Sequence, residues 1–291
     1  MYYLFYGLIW LITWLPLPIL YILSDFIFLF VYYVVGYRKN VVRNNLKNSF
    51  PTKSAKELKK IERKFYRYFC DVFIESLYEM HISKKEMMKR MNFSQLELVL
   101  EQYEKGKSCM LMTAHYGNWE WASGLSLFLP SDKPLYGVYK RLTSKHFDDL
   151  MCELRMKSTG LNVEKNDLLR KLFQLRKDKQ LAMFGMISDQ RPPRNSLHYW
   201  TTFLNQDTPI ITGTEVLSRK FDYPVFYSEI TRIKRGYYNC EFIPISLEPS
   251  KTSEFEISEK YIRLLEKTIE TKPEFWLWTH RRWKFKREDA I

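Results

Sequence analysis

The first 37 residues constrain this chain more than any other stretch. They carry a single charge, Asp25, and no basic residue, and they end abruptly at "RKNVVRNNLKN". A bilayer core takes about 20 apolar residues of helix, so the segment is long enough for a membrane anchor. Pro16 and Pro18 interrupt it. That leaves two arrangements open: one kinked spanning helix, or short helices that dip in and return or lie in one leaflet. A cleavable signal peptide is disfavoured, because the basic residues follow the run, the run is too long and no small-residue cleavage site is present. Arg38, Lys39, Arg43 and Lys47 come directly after the segment. Basic flanks stay on the cytoplasmic side, which is where the rest of the chain is expected. The chain thus divides into an anchor, residues 1–37, and one domain, residues 38–291.

Cys70, Cys109, Cys152 and Cys240 lie far apart without C-x-x-C spacing. They suit a reducing compartment and supply no metal framework. The formal net charge of +13 calls for an anionic partner, which charge alone does not choose. Nucleic acid is not expected, since there is no zinc finger, helix-turn-helix or RNP-like strand.

From Ala55 to Ile82 the residues Leu58, Ile61, Phe65, Phe69, Val72, Phe73, Leu77 and Met80 recur at three- and four-residue steps. The spacing predicts a long amphipathic helix whose first half is basic on its other face. Beyond it, short apolar runs alternate with helical patterns. "KSCMLMTA", "KPLYGVYK" and "QLAMFGMIS" read as strands. "FSQLELVLEQYEKG", "NWEWASGLSLFL", "SKHFDDLMCELRMKSTG", "NDLLRKLFQLRKD", "TGTEVLSRKF" and "SEKYIRLLEKTIETKPEFWLWTH", with Pro273 opening its last piece, read as helices. "YPVFYSEITRI" and "YYNCEFIPI" make a hairpin around "KRG". The alternation predicts an α/β fold with a mixed, largely parallel sheet flanked by helices.

The candidate chemistry sits in "HYGNWE". His115 and Glu120 are five positions apart, so they meet only if His115 ends a strand and Glu120 opens the next helix. Gly117 permits the sharp turn and Asn118 can cap the helix. Such turns, at the carboxyl ends of strands, are where α/β sheets bind substrates. A carboxylate beside an imidazole fixes its tautomer and stabilises the imidazolium. The competing explanation is a capping glutamate and a partly buried structural histidine. No phosphate-binding glycine loop, G-x-S-x-G elbow or H-E-x-x-H zinc motif is present, and no cofactor or metal is expected.

"AHYGNWE", "YKRLTSKHFDDLMCELRMKSTG", "ISDQRPPRNSLHYWTTFLNQDTPIITGTEVLSRK" and "PEFWLWTHRRWK" occur in that order. Together they resemble the bacterial late acyltransferases of lipid A synthesis, within the lysophospholipid acyltransferase superfamily, over nearly the whole chain. The resemblance implies a glycerolipid-acyltransferase-like fold. It also implies transfer of a fatty acyl chain from acyl carrier protein to a hydroxyl of a lipid A precursor, at the cytoplasmic face of the inner membrane. His115 would be the base and Glu120 its carboxylate, with Asn118 beside them. A basic residue after the second strand, Lys140 or Arg141, and an arginine in the following helix, Arg155, would belong to the active site. Asp189 and Gln190 match the family's Asp-Gln pair and are assigned to substrate positioning. Phe203, Thr208 and Gly213 fit its third block, with core packing as the rival explanation for Phe203. Arg281 and Arg282, between tryptophans, suit the lipid headgroup layer. No glycerol-phosphate-type "EGTR" block is present, which argues against a simple glycerolipid acceptor. Another glycolipid, amino-acid lipid or pigment acceptor stays open, and the rival from a different class is a non-catalytic, membrane-tethered binder of anionic ligands, in which His115 would have no special role.

Overall fold

The computed structural model describes residues 2–141, 148–150, 152 and 160–289, without the side chains of residues 2–5. Its centre is β2 (Cys109–Thr113), the run "CMLMT", in which every residue is buried. A strand with helices on both faces reads as continuous apolar sequence, and this one does. Met110 and Met112 point into one core and Cys109 and Leu111 into the other.

Six further strands complete the sheet: β1 (Met91–Ser94), β3 (Leu135–Tyr139), β4 (Leu161–Glu164), β5 (Met183–Ile187), β8 (Val225–Lys234) and β9 (Tyr237–Ser246). Their order is β1-β9-β8-β2-β5-β3-β4. Every pairing is parallel except the β8–β9 hairpin. The fold class expected from the alternation is the one observed. A separate two-stranded ribbon, β6 (Trp200–Phe203) with β7 (Gln206–Pro209), lies outside the sheet.

Helices α1 (Tyr2–Ile12), α2 (Leu17–Leu29), α3 (Lys39–Ser49), α4 (Ala55–Tyr78), α5 (Lys84–Arg90) and α6 (Leu96–Glu104) come from the N-terminal third. Among the helices that follow in the described residues are α7 (Leu168–Lys177), α8 (Gly213–Phe221) and α9 (Glu256–Thr271). Pro16 separates α1 from α2, and α2 runs on as π-helical turns to Val35. Leu17–Val35 is long and apolar enough to cross a membrane. The long helix read from the sequence is α4. A capping box closes its first turn, Ser54 accepting from the Glu57 amide and Glu57 from the Ser54 amide.

Three helical expectations are corrected. The helix read from Ser258 through the tryptophan-rich end stops at Thr271; Pro273–Phe275 make only a 3-10 turn, and Trp276 bridges Tyr116 as extended chain. "NWEWASGLSLFL" forms a 3-10 helix over Trp121–Phe128, not an α-helix. Ser123 and Ser126 donate to the carbonyls of Glu120 and Ser123, three residues back, a local alternative to α-helical bonding. "FSQL" begins inside β1, so α6 starts only at Leu96. The helix expected over "SKHFDDLMCELRMKSTG" falls mostly outside the described residues.

Candidate active site

Strands β2 and β5 are parallel neighbours, with Thr113 opposite Ile187. Two residues further along each chain stand His115 and Asp189, which this register brings side by side at the carboxyl rim. His115 Nδ1 lies 2.8 Å from Asp189 Oδ1. The other carboxylate oxygen accepts from the Trp276 indole at 2.9 Å. Asp189 is buried, at 1 % exposure. Burial opposes its ionisation, but the neighbouring His115 and the hydrogen bonds from His115 and Trp276 prevail and hold its carboxyl below the usual range. An ionised Asp189 accepts a hydrogen bond from Nδ1–H, so the network assigns the lone pair to Nε2. The Gln190 amide nitrogen lies 3.2 Å from that Nε2.

The loop carrying His115 is clamped from three directions. Leu277 N donates to the His115 carbonyl and Gly117 N to the Phe275 carbonyl, so the chain after α9 lies across it like a short strand. Tyr68 of α4 donates to the Gly117 carbonyl. Gly117 has φ +60°, and a Cβ there would sit 2.7 Å from Ile230 Cγ2 and 2.9 Å from the Ile230 carbonyl oxygen. Asn118 is fully buried, its oxygen accepting from Trp121 N and its nitrogen donating to Glu75. It therefore caps, as expected, but both ends of its amide are engaged inside the protein. The expectation that Asn118 touches substrate is corrected for that reason.

Glu120 turns its carboxylate to the Trp119 indole, 3.0 Å away. The carboxylate on His115 Nδ1 is thus Asp189, which the sequence had placed among the positioning residues. Glu120 instead lines a cleft of about 370 Å³ with Trp119, Gln190 and the α4 side chains Phe69, Phe73 and Leu77. His115 meets the same Trp119 edge-on, ring centres 5.2 Å apart. The apolar cleft therefore carries the Glu120 carboxylate in its wall and is separated from the His115 ring by Trp119 and Gln190, which touch both.

The remaining expectations divide. Lys140 and Arg141 are exposed at the end of β3 on the same rim, where Arg141 pairs with Glu164 at 2.8 Å. Arg155 lies outside the described residues. Phe203 is core, stacked edge-on against Trp276, and Thr208 is buried beneath the Trp283 indole. Arg281 is exposed. Arg282 is fully buried and donates to the Pro209 carbonyl at 2.7 Å, so it cannot meet a headgroup, and that expectation is corrected. Burial lowers its pKa to about 10.

Three contributors escaped the sequence. Trp276 holds Asp189, Glu75 holds Asn118, and His280 lies at the cleft with its pKa pushed down to about 4, chiefly by burial. Only Glu75 left a signal, as an acid on the apolar face of an amphipathic helix. Among the described residues, no cluster of three or more His, Cys, Asp or Glu is placed to hold a metal ion.

Fold and site together place an imidazole bonded to a buried carboxylate at the carboxyl rim of a largely parallel sheet, beside an apolar cleft. The sequence model of the bacterial lipid A biosynthesis acyltransferases matches residues 1–285, and the chain belongs to that family. It is an acyltransferase. Among its relatives is the lipid A biosynthesis palmitoleoyltransferase of Escherichia coli (strain K12), 22% identical over 280 residues, covering 96% of this chain and 89% of the relative. The lipid A biosynthesis acyltransferase of Shigella flexneri matches with the same identity and coverage.

Proposed function

We propose that this protein transfers a fatty acyl chain from acyl carrier protein to a hydroxyl of a lipid A precursor, at the cytoplasmic face of the inner membrane. His115 is the base. The observation that carries the proposal is the 2.8 Å bond from its Nδ1 to buried Asp189, which leaves Nε2 facing Gln190 of the cleft. An alcohol is a poor nucleophile at neutral pH, and an oriented imidazole supplies the missing basicity. The acceptor oxygen attacks the thioester carbonyl carbon while Nε2 takes the hydroxyl proton. The tetrahedral intermediate then expels the thiolate, the C–S bond breaks, and the imidazolium returns the proton to sulfur. Ester and free thiol result, and both substrates bound together make an acyl-enzyme unnecessary.

Asp189 orients the ring and balances the imidazolium. Glu120 acts from the substrate side of the cleft. The charge of +13 suits an acidic carrier and an anionic glycolipid, and the apolar cleft suits an alkyl chain. The test is acyl transfer from acyl carrier protein to a panel of lipid acceptors in detergent, with wild-type and His115→Ala protein. Transfer to a lipid A precursor that falls by orders of magnitude in the variant supports the proposal. Transfer that survives the substitution sinks the base. Transfer only to another glycolipid, amino-acid lipid or pigment keeps the chemistry and replaces the acceptor.

A further inference from the structure

We propose that Arg282 is a positioning residue of the active site: its buried guanidinium is the fixed positive charge that offsets Asp189 and keeps the His115 ring free of a second proton at neutral pH, so that the ring can act as a base.

Arg282 is fully buried, at 0 % exposure. Its Nη2 donates to the Pro209 carbonyl at 2.7 Å, while Nε and Nη1 have no hydrogen-bond partner among the described residues. A buried cation is costly unless an anion balances it. No carboxylate among the described residues bonds this one, and the acid whose charge acts on it is Asp189.

Packing brings the two to one end of the sheet. From Pro209 the chain runs into α8, where the Thr214 hydroxyl lies 3.2 Å from that of Ser188, the residue before Asp189. Trp283, the neighbour of Arg282, has its ring centre 6.0 Å from that of Trp276, whose indole holds Asp189. Tyr261 of α9 donates to the Thr113 carbonyl at 2.7 Å and stands in the field of both Arg282 and Asp189.

The other groups around Asp189 do not balance it. Tyr68 of α4, Tyr227 of β8 and Tyr261 are neutral, since burial pushes their hydroxyls well up. His280 is neutral as well, pushed down to about 4 chiefly by burial. Arg191 is half-buried over the Phe285 ring, where water screens it. Glu120, in the cleft wall, carries the opposite sign.

The charge count then sets the state of the ring. With His115 neutral, Asp189 and Arg282 cancel. A second proton leaves a net positive charge among buried groups. Asp189 alone, 2.8 Å from Nδ1, would favour the imidazolium, and a ring already protonated cannot take the proton of a hydroxyl. The carboxylate strengthens the pair's hold on that proton and the guanidinium weakens it, so removing the guanidinium strengthens it. The inference rests on His115 being the base proposed above.

The test uses full-length protein in detergent with isotope-labelled histidine, the His115 resonances being assigned by their loss in His115→Ala. The wild-type ring is expected to be neutral at pH 7 with its proton on Nδ1, as read from the ring nitrogen shifts. An imidazolium there overturns the proposal and requires no variant to fold. In Arg282→Gln, which removes the charge, the titration midpoint of the ring is expected to rise by about one pH unit or more. In Arg282→Lys, which keeps the charge, it is expected to stay near the wild-type value. An unmoved midpoint in Arg282→Gln, or a lysine variant that titrates like the glutamine one, overturns the proposal. In acyl transfer, kcat/KM of Arg282→Gln should fall about tenfold at pH 7 and recover as the pH is raised. A loss equal at every pH marks a merely structural arginine and overturns it too. The ring titration needs no substrate, so this inference can fail while acyl transfer stands, or hold while the acceptor proves to be another.

Discussion

At the scale of single residues, the informative contrast is between two carboxylates near one histidine. Asp189→Asn keeps the shape but loses the charge that fixes the Nδ1 proton. It is expected to lower kcat by about 10²–10⁴ with little change in KM. Glu120→Gln, which leaves the Nδ1 bond intact, is expected to cost less in kcat and to act more on KM. A kinetic comparison in which Glu120→Gln is the more damaging to kcat would return the orienting role to Glu120. His280 offers a separate test through pH. Its folded pKa of about 4 lies below the ordinary value of 6.5, so the unfolded chain binds its proton first. The stability tied to neutral His280 is therefore complete above about pH 6.5 and is lost as the pH falls toward 4. Thermal melts over that window should show a decline that His280→Gln flattens. The depressed carboxyl of Asp189 adds its own loss only at lower pH, as it is protonated.

At the scale of elements, the site is a product of register. Both His115 and Asp189 were recognisable as strand-end residues, yet the sequence could not say that β2 and β5 are neighbours. Two strands, β3 and β4, separate them along the chain, and the crossover that pairs them is set by tertiary packing. The spacing of His115 and Glu120 suggested a local pair, but the pair that forms is 74 residues apart. The buried acids of α4 were legible in principle, because Asp71 and Glu75 interrupt an otherwise apolar face. What they bond to was not legible. Glu75 takes hydrogen bonds from Tyr21 of α2, Tyr238 of β9 and Asn118 of the loop that carries His115. Glu75→Ala strands three buried donors and is expected to cost at least about 3 kcal/mol in denaturant unfolding. Gly117→Ala tests the loop itself. Its positive φ and the approach to Ile230 predict a loss of about 1–3 kcal/mol, with activity falling further than stability because His115 is two residues away.

At the scale of the whole molecule, the question is whether the division at residue 37 marks two separable parts. Composition draws that line sharply, since one acidic charge stands before it and every Lys and Arg after it. Packing does not respect it. Phe28 and Tyr32 belong to the core on one face of the sheet, and Leu17, Leu20 and Tyr21 to the core on the other. Each of these five side chains stabilises by roughly 1.5–3 kcal/mol when fully buried. Their sum is comparable to the entire margin of about 5–15 kcal/mol by which a protein of this kind is folded. Asp71 would also lose its Ser24 partner, and Glu75 its Tyr21 partner, at sites already buried. Removing residues 1–37 is therefore expected to yield an aggregating or unfolded chain, not a soluble enzyme freed of its anchor. Near-UV circular dichroism and thermal melts of residues 38–291 against the full chain, both in detergent, check this. A truncated protein that melts cooperatively within a few degrees of the full one would show that α2 is an appendage and that the cores close without it.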